Sequence, residues 1–363
     1  MADHEHTGLP ELPKELAKQF GLLEQKFVRA EVDQIRSGVT RFRPLLKERD
    51  EAIANSPLKD TFWTQVFANA PPDVDEYVLE SDAAVLGTAL QSFSVERFEV
   101  DDQGNGEPRS FRLIFEFRPA DNEHFDNEKL VKDFYWRKQI TRSPAGLKRS
   151  WEGLVSEPVR INWKTGQDLT KGVLDAACDL AEAEKKNKGD RKELPEFKKL
   201  QSKIEESHEH DDGKDADDDD FSLGGLSPAG TSFFSLFGYR GRSVSAEESQ
   251  AATKEDDERF EKLLKGEQVE EDEEDENDDD EDDDEAVEIF RDGDELAIAL
   301  AEDLYTHAFK YFGPYLATGI SHRTLTSRPG GSADDEDLSE LMDGEDEDDD
   351  EGEEERPRKK TKV

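Results

Sequence analysis

Between residues 11 and 55 apolar side chains recur at Leu12, Leu16, Phe20, Leu23, Phe27 and Ala30, in steps of four and three. The series resumes at Ile35, Val39, Phe42 and Leu46 after a step of five. Such spacing predicts one long helix carrying a heptad-like stripe with a stutter. About 40 helical residues span roughly 60 Å at 1.5 Å per residue, more than one small domain covers. The stripe therefore predicts a second copy of the helix laid against it, parallel or antiparallel. Leu16, Phe20, Leu23, Phe27, Ile35, Val39, Phe42 and Leu46 would form that interface. The competing reading lays the helix across its own domain. Pro44 lacks the N–H that bonds one turn back, so a kink or break is expected near Arg43.

The next elements change character. Phe62, Trp63, Val66 and Phe67 give the stretch 56–70 an apolar helical face, and 81–91 reads as another helix with Ser81 as its N-cap. The period then becomes two. Phe93, Val95 and Phe98 alternate in 92–100, and Phe111, Leu113, Phe115 and Phe117 alternate in 110–119. The stretch 129–140 reads as a third strand. Together they predict an antiparallel meander with one wet face. The segment 159–170 adds a short strand and a turn at Thr165-Gly166. From 171 to 204 the pattern is helical, lysine-rich and weakly amphipathic. The run 231–241 is an aromatic island, Phe233, Phe234, Phe237 and Tyr239, that should dock back on the core. Residues 294–316 read as an amphipathic helix with Leu296, Ile298, Leu300, Leu304 and Phe309 on its apolar face.

Charge decides what surrounds these elements. The chain has 363 residues, with 92 Asp and Glu against 48 Lys and Arg, a net charge of −44. Only 33% of residues are hydrophobic, too few for one uniformly packed globule. Roughly half to two-thirds of the chain should be ordered, enough for one core. Residues 1–10, two insertions at about 205–229 and 243–288, and a tail at 325–363 are expected to be disordered. In 270–285, 15 of 16 residues are acidic, and their mutual repulsion opposes compact structure. So acidic a chain repels nucleic acid and anionic lipid, and its natural partners are strongly basic macromolecules. Neither membrane binding nor tight nucleic-acid binding is expected.

Catalytic and metal-binding patterns are not found. The His4/His6 and His208/His210 pairs fall in solvated acidic stretches and do not read as metal ligands. Residues 101–112 open like a calcium loop but place Arg112 where the bidentate Glu belongs. There is no phosphate-binding glycine loop, so no cofactor is expected. The one cysteine, Cys178, allows no internal disulfide and suits a reducing compartment. It lies in no nucleophile signature, and a buried structural thiol is expected. The opening stretch has no basic run followed by an apolar one, so no secretory leader is expected. The acidic tail ends on Arg356, Arg358, Lys359, Lys360 and Lys362, a basic cluster of the kind nuclear-import receptors read.

Several stretches resemble the nucleosome assembly protein family, in particular its SET (template-activating factor I) branch. They are "PLLKERDEAIANSPLKDTFWTQVFANAP" (44–71), "FRLIFEFRPADNEHFDNEKLVKDFYW" (111–136), "INWKTGQDLT" (161–170), "SFFSLFGYRG" (232–241) and "DELAIALAEDLYTHAFKYF" (294–312). They occur in the family's order. His124 replaces a usual Tyr, and Thr306 a usual Pro. The resemblance implies an α+β fold: a long dimerisation helix at 11–55, then an "earmuff" domain at 56–320 with an antiparallel sheet covered by helices. It implies a non-enzymatic histone chaperone, a homodimer that binds core histones and promotes nucleosome assembly and disassembly; the terminal basic cluster points to the nucleus, with shuttling to the cytoplasm a further expectation. Candidate histone-binding carboxylates are Asp168, Asp175 and Asp179, and Asp294, Glu295, Glu302 and Asp303. Other readings are an acidic regulator of a phosphatase or histone acetyltransferase, with either enzyme as a partner, and an escort of ribosomal proteins.

Overall fold

Helix α1, Lys14–Ala54, is the long helix the apolar stripe predicts. The computed structural model describes residues 13–142, 148–187, 189, 191–209, 231–267, 269 and 286–313. The expected break at Pro44 is not there: α1 runs unbroken through it. Anchors on either side account for this. Arg43 donates to the Val100 carbonyl at 2.7 Å, and buried Arg49 donates to the Tyr305 carbonyl. The Arg49 guanidinium also lies 4.3 Å from the Tyr305 ring centroid, a cation–π contact that ties the helix end to the core. The C-terminal end of α1 thus rests on its own domain, with Leu46 and Ile53 packed on the core. Elsewhere the stripe is open: Phe27 is 67% exposed, Phe20 and Leu23 are exposed toward the N-terminus, and Phe42 is exposed beside the anchored Arg43. Leu16, Ile35 and Val39 are intermediate.

Three short helices follow: α2 (Phe62–Ala68), α3 (Pro72–Asp75) and α4 (Glu80–Ala89). The start of α4 is set by Asp82, not by Ser81 as expected. The Asp82 carboxylate accepts from the Leu79 N–H at 3.1 Å. The meander comprises β1 (Leu90–Glu96), β2 (Phe111–Phe117), β3 (Lys129–Arg142) and β4 (Lys148–Ser156), antiparallel in the order β1-β2-β3-β4. Phe115 stands opposite Phe93 on one side and Leu130 on the other. One face of β2, Phe111, Leu113, Phe115 and Phe117, is buried throughout, as period two requires. Strand β4 escaped the sequence reading because Gly153, lying under the Trp151 ring, interrupts its alternation. The short strand expected in 159–170 reduces to a single bridge between Phe125 and Trp163, and Gly166 makes the expected turn.

Helices α5 (Val173–Lys186) and α6 (Pro195–Glu209) pack together beside the sheet. They belong to the core more than their lysines suggest: Leu174, Ala177, Leu180 and Leu200 are fully buried. The insertion expected from 205 therefore begins inside α6; 210–230 lie outside the described residues. The aromatic island forms a 3₁₀ turn, Phe233–Gly238, and docks as expected. Phe233, Phe234, Leu236 and Phe237 are 0% exposed. Phe115 meets Phe233 and Phe237 at 5.9 and 5.8 Å. Burying each such ring stabilises the docked state by roughly 1.5–3 kcal/mol. Lys132, on the same sheet face, is buried as well. Its ammonium donates to the carbonyls of Glu157, Phe237 and Tyr239 at 2.7, 3.1 and 2.6 Å, which satisfies all three of its donors.

The insertion expected to be disordered at 243–288 instead contains a nineteen-residue helix, α7 (Ala246–Leu264). Ser245 and Glu248 form a capping box at its start, a local signal masked by the surrounding charge. Val287, Ile289 and Phe290 beyond it are core residues; the acidic run 270–285 lies outside the described residues. The late helix is not continuous. It is α8 (Gly293–Ile298), a π-helical turn (Ala299–Leu304) and α9 (Ala308–Tyr311). Thr306 donates its hydroxyl to the Ala301 carbonyl at 3.1 Å, five residues back, within the widened turn. Ile298, two residues from both Leu296 and Leu300 and so on the far side of the helix, is exposed, as is Phe309 beyond the π turn; neither lies on the apolar face expected of it. Residues 1–10, the tail 325–363 and its basic cluster at 356–362 lie outside the described residues.

Candidate functional site

Pro71 and Pro72 start α3, and its first turn carries Asp73 and Asp75, followed by Glu76. Across from it α8 begins at Asp292, with Asp294 and Glu295 in its first turn. Carboxylates suit these positions because helix N-termini carry partial positive charge. Tyr77 and Phe290 join the two elements, ring centroids 5.5 Å apart. Gly293 lies tight beneath the Tyr239 ring, where a Cβ would come within 2.4 Å of it, so α8 can seat against the island. Four of these carboxylates, Glu76, Asp292, Asp294 and Glu295, act together on the buried Tyr77, and Asp73 and Asp75 precede them on α3. Among the described residues none of the six has a cationic side chain within the 4.0 Å of an ion pair.

The Tyr77 hydroxyl registers their field. Its pKa is pushed up to about 12, first by burial, then by Asp292, Glu76, Glu295 and Asp294. Burial also raises the Asp294 carboxyl above the ordinary range. A surface this negative and this short of internal cations favours lysine and arginine side chains from outside.

The other expected site residues are engaged within the chain. Asp168 accepts from the Thr170 N–H and hydroxyl at 2.8 and 2.7 Å and from the Gly172 N–H at 2.7 Å. It shapes the turn into α5, where Lys171 and Gly172 both have positive φ. Asp175 and Asp179 converge on Arg160 at 2.9 and 2.8 Å, with Glu182 at 3.3 Å. Lys199 also reaches Asp179 at 2.8 Å, and its hydrogen bond, with that of Arg160, holds the Asp179 carboxyl below its usual range. Glu302 pairs with Arg97 at 3.0 Å. Asp303 accepts from the Tyr311 hydroxyl and stands 3.1 Å from His307 Nδ1. Of the seven, only Asp294 and Glu295 belong to the unpaired cluster. Asp73, Asp75, Glu76 and Asp292 were missed. Their acidity is plain in the sequence, but the α3–α8 contact that unites them is tertiary.

Cys178 is buried, and burial pushes its thiol up to about 11, away from the thiolate a nucleophile needs. Among the described residues no group of three His, Cys, Asp or Glu could hold a metal ion, and no helix is long and apolar enough to cross a membrane.

The nucleosome assembly protein (NAP) family model matches residues 28–314. A nucleosome assembly protein of Schizosaccharomyces pombe, so named provisionally, is 29% identical over 147 residues, which are 40% of this chain and 57% of that one. The chain thus spans little more than half the length of that curated relative. The crystal structure of Ccp1 is 22% identical, covering 82% of this chain and 94% of its own, with a TM-score of 0.45. Nucleosome assembly protein S of Plasmodium falciparum is also 22% identical, covering 43% of this chain and 74% of its own, with a TM-score of 0.27. The family match takes in α1 from Val28 to its end, the whole sheet, the aromatic island and the α3–α8 cluster, and the chain belongs to the nucleosome assembly protein family.

Proposed function

We propose that this protein is a histone chaperone: a non-enzymatic dimer that takes core histones onto its acidic surface and hands them to and from DNA. The observation that carries the reading is the α3–α8 cluster, in which Glu76, Asp292, Asp294 and Glu295 crowd Tyr77 with no cationic partner among the described residues, on a member of this family. Histones bind DNA by neutralising phosphates. A folded anionic platform competes for the same lysines and arginines. The acidic run at 270–285 and the tail would add long-range steering, which salt screens beyond about 8 Å under physiological conditions. The exposed stripe of α1 supports pairing with a second copy, and the basic cluster at 356–362 supports nuclear import.

The direct test is core-histone affinity across a salt series, for the full chain and for Asp292→Asn/Asp294→Asn/Glu295→Gln. Loss of high-salt affinity in the variant is expected; an unchanged series would place histone binding elsewhere. Light scattering of Phe27→Glu tests the dimer. A carboxylate buried unpaired in the stripe costs several kcal/mol, on the order of the penalty for any isolated buried charge, so the variant should scatter as a monomer. A wild-type monomer at working concentration would overturn the dimer. Removing residues 356–363 from a fluorescent fusion should shift it toward the cytoplasm, and an undiminished nuclear signal would rule the cluster out as the address.

A further inference from the structure

Strand β2 pairs with β3 only as far as Phe134, yet β3 and β4 run on together to Arg142 and Lys148. That arm leaves one edge of β3 without a strand, and α7 lies along it. Ser249 Oγ accepts from the Lys138 N–H at 3.0 Å, as a neighbouring strand's carbonyl would. About two turns on, α7 presents Glu255, Asp256 and Asp257 to cations from three elements. Asp256 meets Lys138 at 2.9 Å and Arg29 at 3.0 Å, and Asp257 meets Arg29 at 2.7 Å. Glu255 meets Arg142 at 2.9 Å and Lys148 at 3.4 Å. Lys148, only 5% exposed, is shut in by this contact. The Arg29 guanidinium also lies over the Phe260 ring, 4.2 Å from its centroid.

Apolar packing contributes little beside these pairs. Ser249 and Ala252 are the buried residues of α7, and Leu264 is half exposed. The Arg142–Glu255 and Arg29–Asp257 pairs are open to solvent, individually weak and screened by salt, whereas Lys138 and Lys148 are the enclosed members. We infer that α7 is a strap latched by charge, with Arg29, Lys138, Arg142 and Lys148 occupying its carboxylates in place of a basic partner. A lysine- or arginine-rich ligand competes for Glu255, Asp256 and Asp257, lifts α7, and uncovers the β3 edge and the side of α1 at Arg29. The inference rests on the proposal that the partner is a basic protein. It assigns the regulation of that binding to a cis contact that each binding event must break.

The test uses the full chain, amide exchange over 246–264 and binding of fluorescein-labelled poly-L-lysine. Arg142→Gln/Lys148→Gln removes half the latch, and Lys185→Gln/Lys186→Gln makes the same charge change on exposed α5. The latch variant should exchange faster throughout α7, by about fivefold or more, and bind poly-L-lysine at least about threefold more tightly. The α5 variant should match wild type in both. Unchanged α7 exchange in the latch variant, or equal tightening in the two variants, overturns the strap. If the latch variant fails to fold, Asp256→Asn/Asp257→Asn opens it from the other side. Faster α7 exchange there upholds the strap, and wild-type exchange overturns it. Exchange needs no histone, so its outcome is separate from that of the chaperone reading.

Discussion

The α3–α8 cluster and the acidic face of α5 are both dense in carboxylates and differ in what stands among them. On α5, Asp175, Asp179 and Glu182 fan around Arg160, and Lys199 closes the arrangement from α6. Around Tyr77, Asp292, Asp294, Glu295 and Glu76 have one another and a phenol. An incoming cation must displace an established partner at the first surface and relieves repulsion at the second. Acid content therefore does not measure binding capacity; acid left without a partner does.

The contrast breaks most visibly if the wrong acids are neutralised. Asp292→Asn/Asp294→Asn/Glu295→Gln should weaken core-histone binding about tenfold, on the order of 1.4 kcal/mol, in a titration at about 0.3 M salt, where remote charges are screened. Asp175→Asn/Asp179→Asn should leave that titration nearly unchanged; a larger loss from this pair would reverse the assignment.

Acidification separates the surfaces next. Burial raises the free Asp294 carboxyl, and a bound lysine or arginine would lower it, so binding releases a proton. Affinity should then fall as pH drops through the raised Asp294 value. Asp179, held low, keeps its charge through that window. Calorimetry in buffers of differing ionisation heat reads the proton directly, and a binding heat that does not vary with buffer would refute the linkage.

Stability should show the reverse preference. Asp175→Asn/Asp179→Asn leaves Arg160 only Glu182 of its three carboxylate partners and should destabilise the fold by about 1 kcal/mol or less, as for exposed pairs, lowering the melting temperature by at most a few degrees. The α8 triple variant should melt close to wild type, since the repulsion it removes offsets the favourable charge it takes from the helix N-terminus. The smallest effect concerns Tyr77. Neutralising the α8 acids should bring its pKa down from about 12 toward that of an ordinary phenol, with the burial contribution remaining, and tyrosine-selective NMR would follow it. An unmoved Tyr77 would mean that the carboxylates do not act as one field.

The sequence made the periodic elements legible because each repeats its own evidence. The stripe of α1, the alternation of β2 and the aromatic island could be read locally. What escaped depends on contacts across the chain. The ladder of β4 was hidden because Gly153 breaks its alternation, and α7 because its acids read as repulsion until Arg29, Lys138, Arg142 and Lys148 stand opposite them. The late helix keeps its apolar residues but loses its phase at a π turn that no spacing rule anticipates. In the candidate site, the acids of α5 and α8 looked alike because a charge count carries no information about Arg160.

Lys132 and the aromatic island carry a consequence for biosynthesis. The inner face of the sheet is complete in sequence once Ser156 has been made, but its cover is Phe233–Gly238, and the carbonyls that finish solvating Lys132 are those of Phe237 and Tyr239. At about 5–20 residues per second, the interval between them is several seconds of translation. Over that time a nascent chain exposes Phe111, Phe115 and Phe134 beside an ammonium whose only ready partners are water and the Glu157 carbonyl. The buried lysine opposes premature closure of that face on the wrong apolar segment, because only the island brings the oxygens that satisfy it.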